Sequence, residues 1–192
     1  MKNNWKWVYN PFEKMAGWNA FGIGIVILSV ATVGGYFGNM VFYGLSAKIV
    51  PNITWSMAFS LQSLGLAVLV AVMFVTALLF AKHVRFQDIL GTLTLAKYPL
   101  LLMFFLSLAF GKSISSIDVN GLLNGDFSSL NIVSLFTFSI IAIILLVWEI
   151  ALMCNAFKVS TNLKGVKCAV LFTAALLASE IITIVLVFFI HI

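Results

Sequence analysis

Charge is scarce in this sequence. Only 9% of its 192 residues are Asp, Glu, Lys or Arg, against about a quarter in soluble globular domains. With 62% hydrophobic residues and a mean hydropathy of +1.14, that shortage excludes an ordinary soluble domain and points to an integral membrane protein. Cysteine is nearly absent: Cys154 and Cys168 stand 14 positions apart with no CxxC pattern. A zinc site, a redox pair and a disulfide framework therefore lack support, and two free thiols are expected. Histidine is limited to His83, in a loop, and His191, next to the last residue. No H-E-x-x-H, G-x-S-x-G or Walker loop is present. Gly111-Lys112-Ser113 has the letters of a P-loop ending but lacks the upstream glycine. No enzymatic activity and no cofactor are expected. The net charge of +5 is spread over short loops and not gathered in a groove, so it reads as a topology signal and not as a nucleic-acid surface.

What is present is a series of apolar runs. A hydrocarbon core of about 30 Å needs roughly 20 helical residues, and five runs meet or approach that length: 18–45, 57–80, 93–110, 132–157 and 168–192. The expected fold class is all-α, a polytopic bundle of five transmembrane helices forming one domain over 1–192. Its connections are short except for a polar stretch at 111–131 that carries Asp118 and Asp126. With the N-terminus in the cytoplasm, the inner side holds Lys2, Lys6, Lys14, Lys82, Arg85, Lys158, Lys164 and Lys167, and the outer side only Lys48 and Lys112. That bias follows the positive-inside rule and puts the C-terminus outside.

The first 17 residues do not read as a cleavable signal, because no A-x-A site follows and the next apolar run has span length. They read as an interfacial arm. Asn10-Pro11-Phe12-Glu13 offers a capping residue, a proline at the first helical position and an early acid. Phe12, Met15 and Trp18 then recur every three residues, with Trp5 and Trp7 ahead of them. Such a segment suits a short helix at headgroup level anchored by Trp5, Trp7 and Trp18. Span one is rich in glycine, and Gly34 to Gly38 has GxxxG spacing. That pattern marks a helix-packing face turned either to another span or to another subunit. Gln62 is the main polar feature of span two.

The third run carries Lys97, Tyr98 and Pro99 inside a helix. An isolated lysine there costs about 2.5–3.5 kcal/mol on insertion scales, and proline removes a donor that lipid cannot replace. Two carboxylates, Glu149 and Glu180, also lie within spans. At 1.5 Å per residue, Lys97, Glu149 and Glu180 sit about 6, 12 and 18 Å from the cytoplasmic ends of their helices. Each carboxylate should face the bundle interior with a partner or be protonated. Lys97 either snorkels to the inner interface or pairs with Glu149.

Three stretches, taken in order, resemble the Yip1 domain family of five-helix membrane proteins, particularly its prokaryotic members. They are Asn10-Pro11-Phe12-Glu13 with Trp18; Phe86-Gln87-Asp88-Ile89-Leu90 leading to Lys97-Tyr98-Pro99-Leu100-Leu101; and Trp148 through Leu163-Lys164-Gly165 to Ala169. The resemblance implies a cytoplasmic N-terminus and a five-helix bundle, with trafficking and Rab-type GTPase binding in eukaryotic members. The D-L-Y-G-P motif and long N-terminal region of those members are missing, which argues against small GTPase binding. The compact form argues for a bacterial inner membrane. The expected role is membrane organisation or scaffolding, with membrane lipids, copies of itself or other membrane proteins as partners. The alternative is a small transporter or channel subunit using Glu180, Glu149 and Lys97.

Overall fold

A computed structural model of the chain describes residues 10–50, 52–115 and 132–189. A single 3-10 turn, Pro11–Glu13, precedes α1 (Gly17–Phe37). Two short strands follow, β1 (Met40–Tyr43) and β2 (Ser46–Ile49). Then come α2 (Trp55–Phe80), α3 (Phe86–Ala96), α4 (Leu100–Ser115), α5 (Ile132–Thr161) and α6 (Gly165–Phe189). Five helical stretches are long and apolar enough to cross a membrane: α1, α2, α5, α6, and α3 with α4 taken together as Phe86–Gly111. The five-span expectation holds at that level. The anchors expected at Trp5 and Trp7 lie outside the described residues, as do Asp118 and Asp126.

The structure is mostly helical, as expected, with one short hairpin added, and the limits of span one are corrected. Helix α1 stops at Phe37, not at 45, because Gly34, Gly35 and Gly38 weaken its end. Asn39 then takes a left-handed φ of 56°, a common way for a helix to terminate. The chain next forms an antiparallel hairpin in which Met40 faces Ile49 and Tyr43 faces Ser46, leaving Gly44-Leu45 as a two-residue turn. Gly44 has φ +56° and Leu45 is not in the positive region. That combination matches a type II′ turn, whose twist suits two strands. The hairpin folds back into the bundle, and β1 packs against α1 and α2. Non-helical backbone at such depth is tolerated only where protein covers it, and Met40, Val41 and Phe42 are all buried.

The third span is corrected as well. It begins at Phe86, not at 93, and it is broken. Pro99 has no N–H and its ring opposes the carbonyl four residues back. Around it the backbone uses tighter bonds three residues apart, with Lys97 N donating to Thr94 O (3.3 Å), Tyr98 N to Leu95 O (3.1 Å) and Leu100 N to Lys97 O (3.0 Å). The broken α3–α4 helix is the centre of the molecule, with 56% of its apolar window buried against 17% for α5. Its polar beginning is accommodated by protein: Thr92 Oγ1 lies 2.8 Å from Ser160 Oγ, and Ser160 donates to Asp88 O at 3.3 Å.

Helix α1 lies against this central element, and its small residues make that approach possible. A Cβ at Gly34 would overlap the Phe104 ring, and one at Gly38 would overlap the Ser107 backbone. Within this chain, the Gly34–Gly38 face is thus turned to α4. The expected interfacial helix at 12–18 is replaced by the 3-10 turn. Phe12, at 1% exposure, is buried in the core, whereas Trp18 is 62% exposed. The arm docks through Phe12, and Gly17, with φ +64°, redirects the chain into α1.

Candidate functional site

The three charges of the spans meet at the hairpin tip. The strands are four residues long, so at about 3.3 Å per residue they carry the turn about 13 Å into the bundle. There the Lys97 ammonium, in the unwound stretch between α3 and α4, donates to the Gly44 carbonyl at 2.5 Å. It also forms an ion pair with Glu149 Oε1 of α5, 2.8 Å away. From the other side, the Leu45 N–H donates to Glu180 Oε1 of α6 at 2.9 Å. Lys97 and Glu149 are 1% and 4% exposed. The snorkelling alternative for Lys97 is thereby excluded, and the pair with Glu149 is the arrangement found.

Each of these side chains therefore has a local reason for its position. The proline break withdraws the Lys97 region from a straight helix and lets its side chain turn inward. Tyr98 packs edge-on against Trp148, with ring centroids 5.0 Å apart and planes at 88°, which ties the break to α5 one residue from Glu149. Gly44 is required by contact as well as by φ. A Cβ there would lie 2.5 Å from Glu180 Oε1 and 2.7 Å from Oε2. The tip also meets Gly65 of α2, where a Cβ would strike the Gly44 nitrogen.

Sequence reasoning named Lys97, Tyr98, Pro99, Glu149 and Glu180; the structure brings Lys97, Glu149 and Glu180 together at one turn, with Tyr98 and Pro99 in the helix break beside Lys97. It missed Gly44 and Leu45, whose main-chain groups are what the charges bind. The signal was a glycine at the first position of a two-residue turn flanked by strand-forming residues. Gly34, Gly38 and Trp18 are not part of this cluster.

Comparison of the chain with protein-family models, curated proteins and solved structures finds no match.

Beside the tip, a cavity of about 360 Å³ opens between the hairpin, α4 and α5. Its walls are mainly apolar, with Phe42, Leu100, Met103 and Phe138 among them, and among the described residues Glu149 is its one ionisable lining residue. Among the described residues no group of three or more His, Cys, Asp or Glu side chains could hold a metal ion. Cys154 and Cys168 are free thiols. What the arrangement can do chemically is to hold two main-chain groups of a turn deep in an apolar bundle, with one cation and two carboxyl groups as the holding set.

Proposed function

We propose that this chain is a non-enzymatic integral membrane protein of the Yip1 type that organises or scaffolds membrane components through helix packing and lipid contact. Its N-terminus is cytoplasmic and its C-terminus outside, in a bacterial inner membrane. The observation that carries the reading is the engagement of all three intramembrane charges with one hairpin turn: Lys97 with Gly44 O and Glu149, and Glu180 with Leu45 N. Charges committed to main-chain groups favour a rigid internal strut over a polar path. Two further features support it. Helices α5 and α6 present wide apolar faces, including Phe136, Ile144, Ile181 and Phe188, suited to lipid or to another membrane protein. The stretches carrying the Yip1 resemblance also coincide with packing points, namely buried Phe12, the Lys97–Pro99 break and Trp148.

A second reading, a small transporter or channel subunit, draws on the charge count. One ammonium faces two carboxyl groups, which is neutral only with one proton or one further cation. Broken helices meeting near the midplane are also how many transporters build their sites. Proton and monovalent-cation flux into proteoliposomes separates the two, comparing wild type, Glu180→Gln and empty vesicles. The strut reading expects no flux above the empty vesicles from either protein. Flux that disappears in Glu180→Gln would replace it with the transport reading.

A further inference from the structure

The seam between α1 and α2 opens into two joined spaces. The larger, about 380 Å³, is an apolar groove with Phe21 and Ile25 of α1 on one wall, Ser63, Ala67 and Ala71 of α2 along its floor, and Phe86 of α3 at one end. Its volume falls within the range of about 300–1,000 Å³ usual for ligand sites. The floor is low because a small residue recurs at every fourth position of α2, which puts all three on one face of the helix. At the far end the Phe86 ring is held edge-on against Phe74, with centroids 5.1 Å apart. The smaller space, about 40 Å³, adjoins the groove through Ile25, Ser63 and Leu66, which line both. Gln62 of α2 and Ser29 and Thr32 of α1 stand in its walls.

The smaller space is rich in acceptors. Ser29 and Thr32 donate their hydroxyl hydrogens to Ile25 O and Leu28 O, both at 2.8 Å, so only their lone pairs are left for another group. Gln62 is 7% exposed, and its Oε1 is buried with no hydrogen-bond donor among the described residues. A glutamine in an apolar span ordinarily bonds a neighbouring helix, but here the neighbour's hydroxyls are already committed as donors. Gln62 stands seven residues into α2, about 10 Å along its axis, in a helix long enough to cross a membrane. Hydrocarbon at that depth supplies no donor.

The two spaces therefore make one joint demand: an apolar chain for the groove, ending in a hydrogen-bond donor for Gln62. The charge of that donor is also fixed. Among the described residues no ionisable side chain lines either space, so an ammonium would lie uncompensated in an apolar setting, and a carboxylate would add one more acceptor. A hydroxyl brings its hydrogen without charge. From Gln62 to Ala71 the seam runs nine residues, about 14 Å, which is roughly half of a 30 Å hydrocarbon core and suits one extended lipid chain.

We propose that this seam binds a neutral lipid whose single long chain ends in a hydroxyl, the chain lying over Ser63, Ala67 and Ala71 and the hydroxyl donating to Gln62 Oε1. The inference rests on the membrane reading above and gives its lipid contact a specific ligand. Failure of the chain to enter bilayers would sink that reading, whereas lost discrimination at the seam of a folded protein would sink this one alone.

The test is retention of tritiated 1-hexadecanol by the full chain in dodecyl maltoside, challenged with unlabelled 1-hexadecanol or with 1-methoxyhexadecane. The ether keeps the chain and lacks the hydrogen. Wild type should need about tenfold more ether than alcohol for half-displacement, equivalent to about 1.4 kcal/mol, the scale of one hydrogen bond. Gln62→Met keeps a side chain of similar length and should bring the two competitors to parity. Ala67→Phe raises the floor of the groove and should abolish retention. Ala67 is exposed, so this variant should melt as wild type does, and melting temperatures establish that both variants are folded. The alcohol–ether comparison on wild type decides the proposal even if a variant unfolds. Equal displacement by alcohol and ether would overturn it, as would a folded Gln62→Met protein that keeps the tenfold preference or a folded Ala67→Phe protein that retains hexadecanol like wild type.

Discussion

Lys97→Met should destabilise the protein by about 3–5 kcal/mol, the usual consequence of removing one partner from a buried ion pair, and Lys97→Met with Glu149→Leu should recover much of that loss. The single variant leaves the Glu149 carboxylate, 4% exposed, without the ammonium 2.8 Å away. The double variant removes both charges and keeps apolar bulk in their place. Recovery should nevertheless be incomplete, because Lys97 has a second duty. Its ammonium also satisfies the Gly44 carbonyl, and an unmet carbonyl at the hairpin tip costs about 1–3 kcal/mol. The double variant should therefore melt between the single variant and wild type. Glu149→Leu alone should be less harmful than Lys97→Met, since it leaves the hairpin's acceptor satisfied. Thermal unfolding of the four proteins in detergent measures this cycle. Equal damage from the single and double variants would remove the pair from any account of stability.

Much of this architecture was legible from hydropathy, because an apolar run of span length leaves few structural choices. Three of the five spans lie within a few residues of expectation at both ends, and the first and third each match at one end only. The failures occurred where apolarity and helicity part company. Met40, Val41, Phe42 and Tyr43 continue the hydropathy of span one without a break, yet they form a strand. The evidence against helix was conformational and local: glycines at 34, 35 and 38, Asn39, and Gly44 between strand-forming residues. The reverse error placed the start of the third span at 93. The segment 86–92 is polar enough to suggest a loop, but it is helix packed in protein, where the Thr92 hydroxyl meets Ser160 and the Asp88 carbonyl.

The candidate site divides along the same line. Charges inside apolar runs announce themselves, and the need of Glu149 for a partner near Lys97 follows from the cost of burying either alone. The convergence of both, and of Glu180, on a hairpin turn could not be read, because the groups they bind belong to the main chain. No side-chain pattern encodes a carbonyl or an N–H. The N-terminal arm illustrates a related limit. Phe12, Met15 and Trp18 have the spacing of one helical face, but burial of Phe12 in the core decides the geometry, and Gly17 ends the periodicity before it can form a helix.

Gly44→Ala tests the hairpin tip directly and should cost about 2–4 kcal/mol, from two sources that a second substitution can separate. The first is conformational: an L-residue at φ +56° in the first position of such a turn carries strain of about 1–3 kcal/mol. The second is steric and electrostatic. The new methyl would stand 2.5 Å from Glu180 Oε1, the oxygen that accepts the Leu45 N–H. Relief requires the carboxyl group to withdraw, leaving a main-chain donor unmet in an apolar bundle. In a Glu180→Ala background the collision is gone and only the conformational part remains. Gly44→Ala should accordingly lower the melting temperature more in the wild-type protein than in Glu180→Ala. Two equal shifts would mean that Glu180 does not hold the turn. The strut would then have to rest on Lys97 alone, and Glu180 would be released for the proton-linked role that the flux measurement examines.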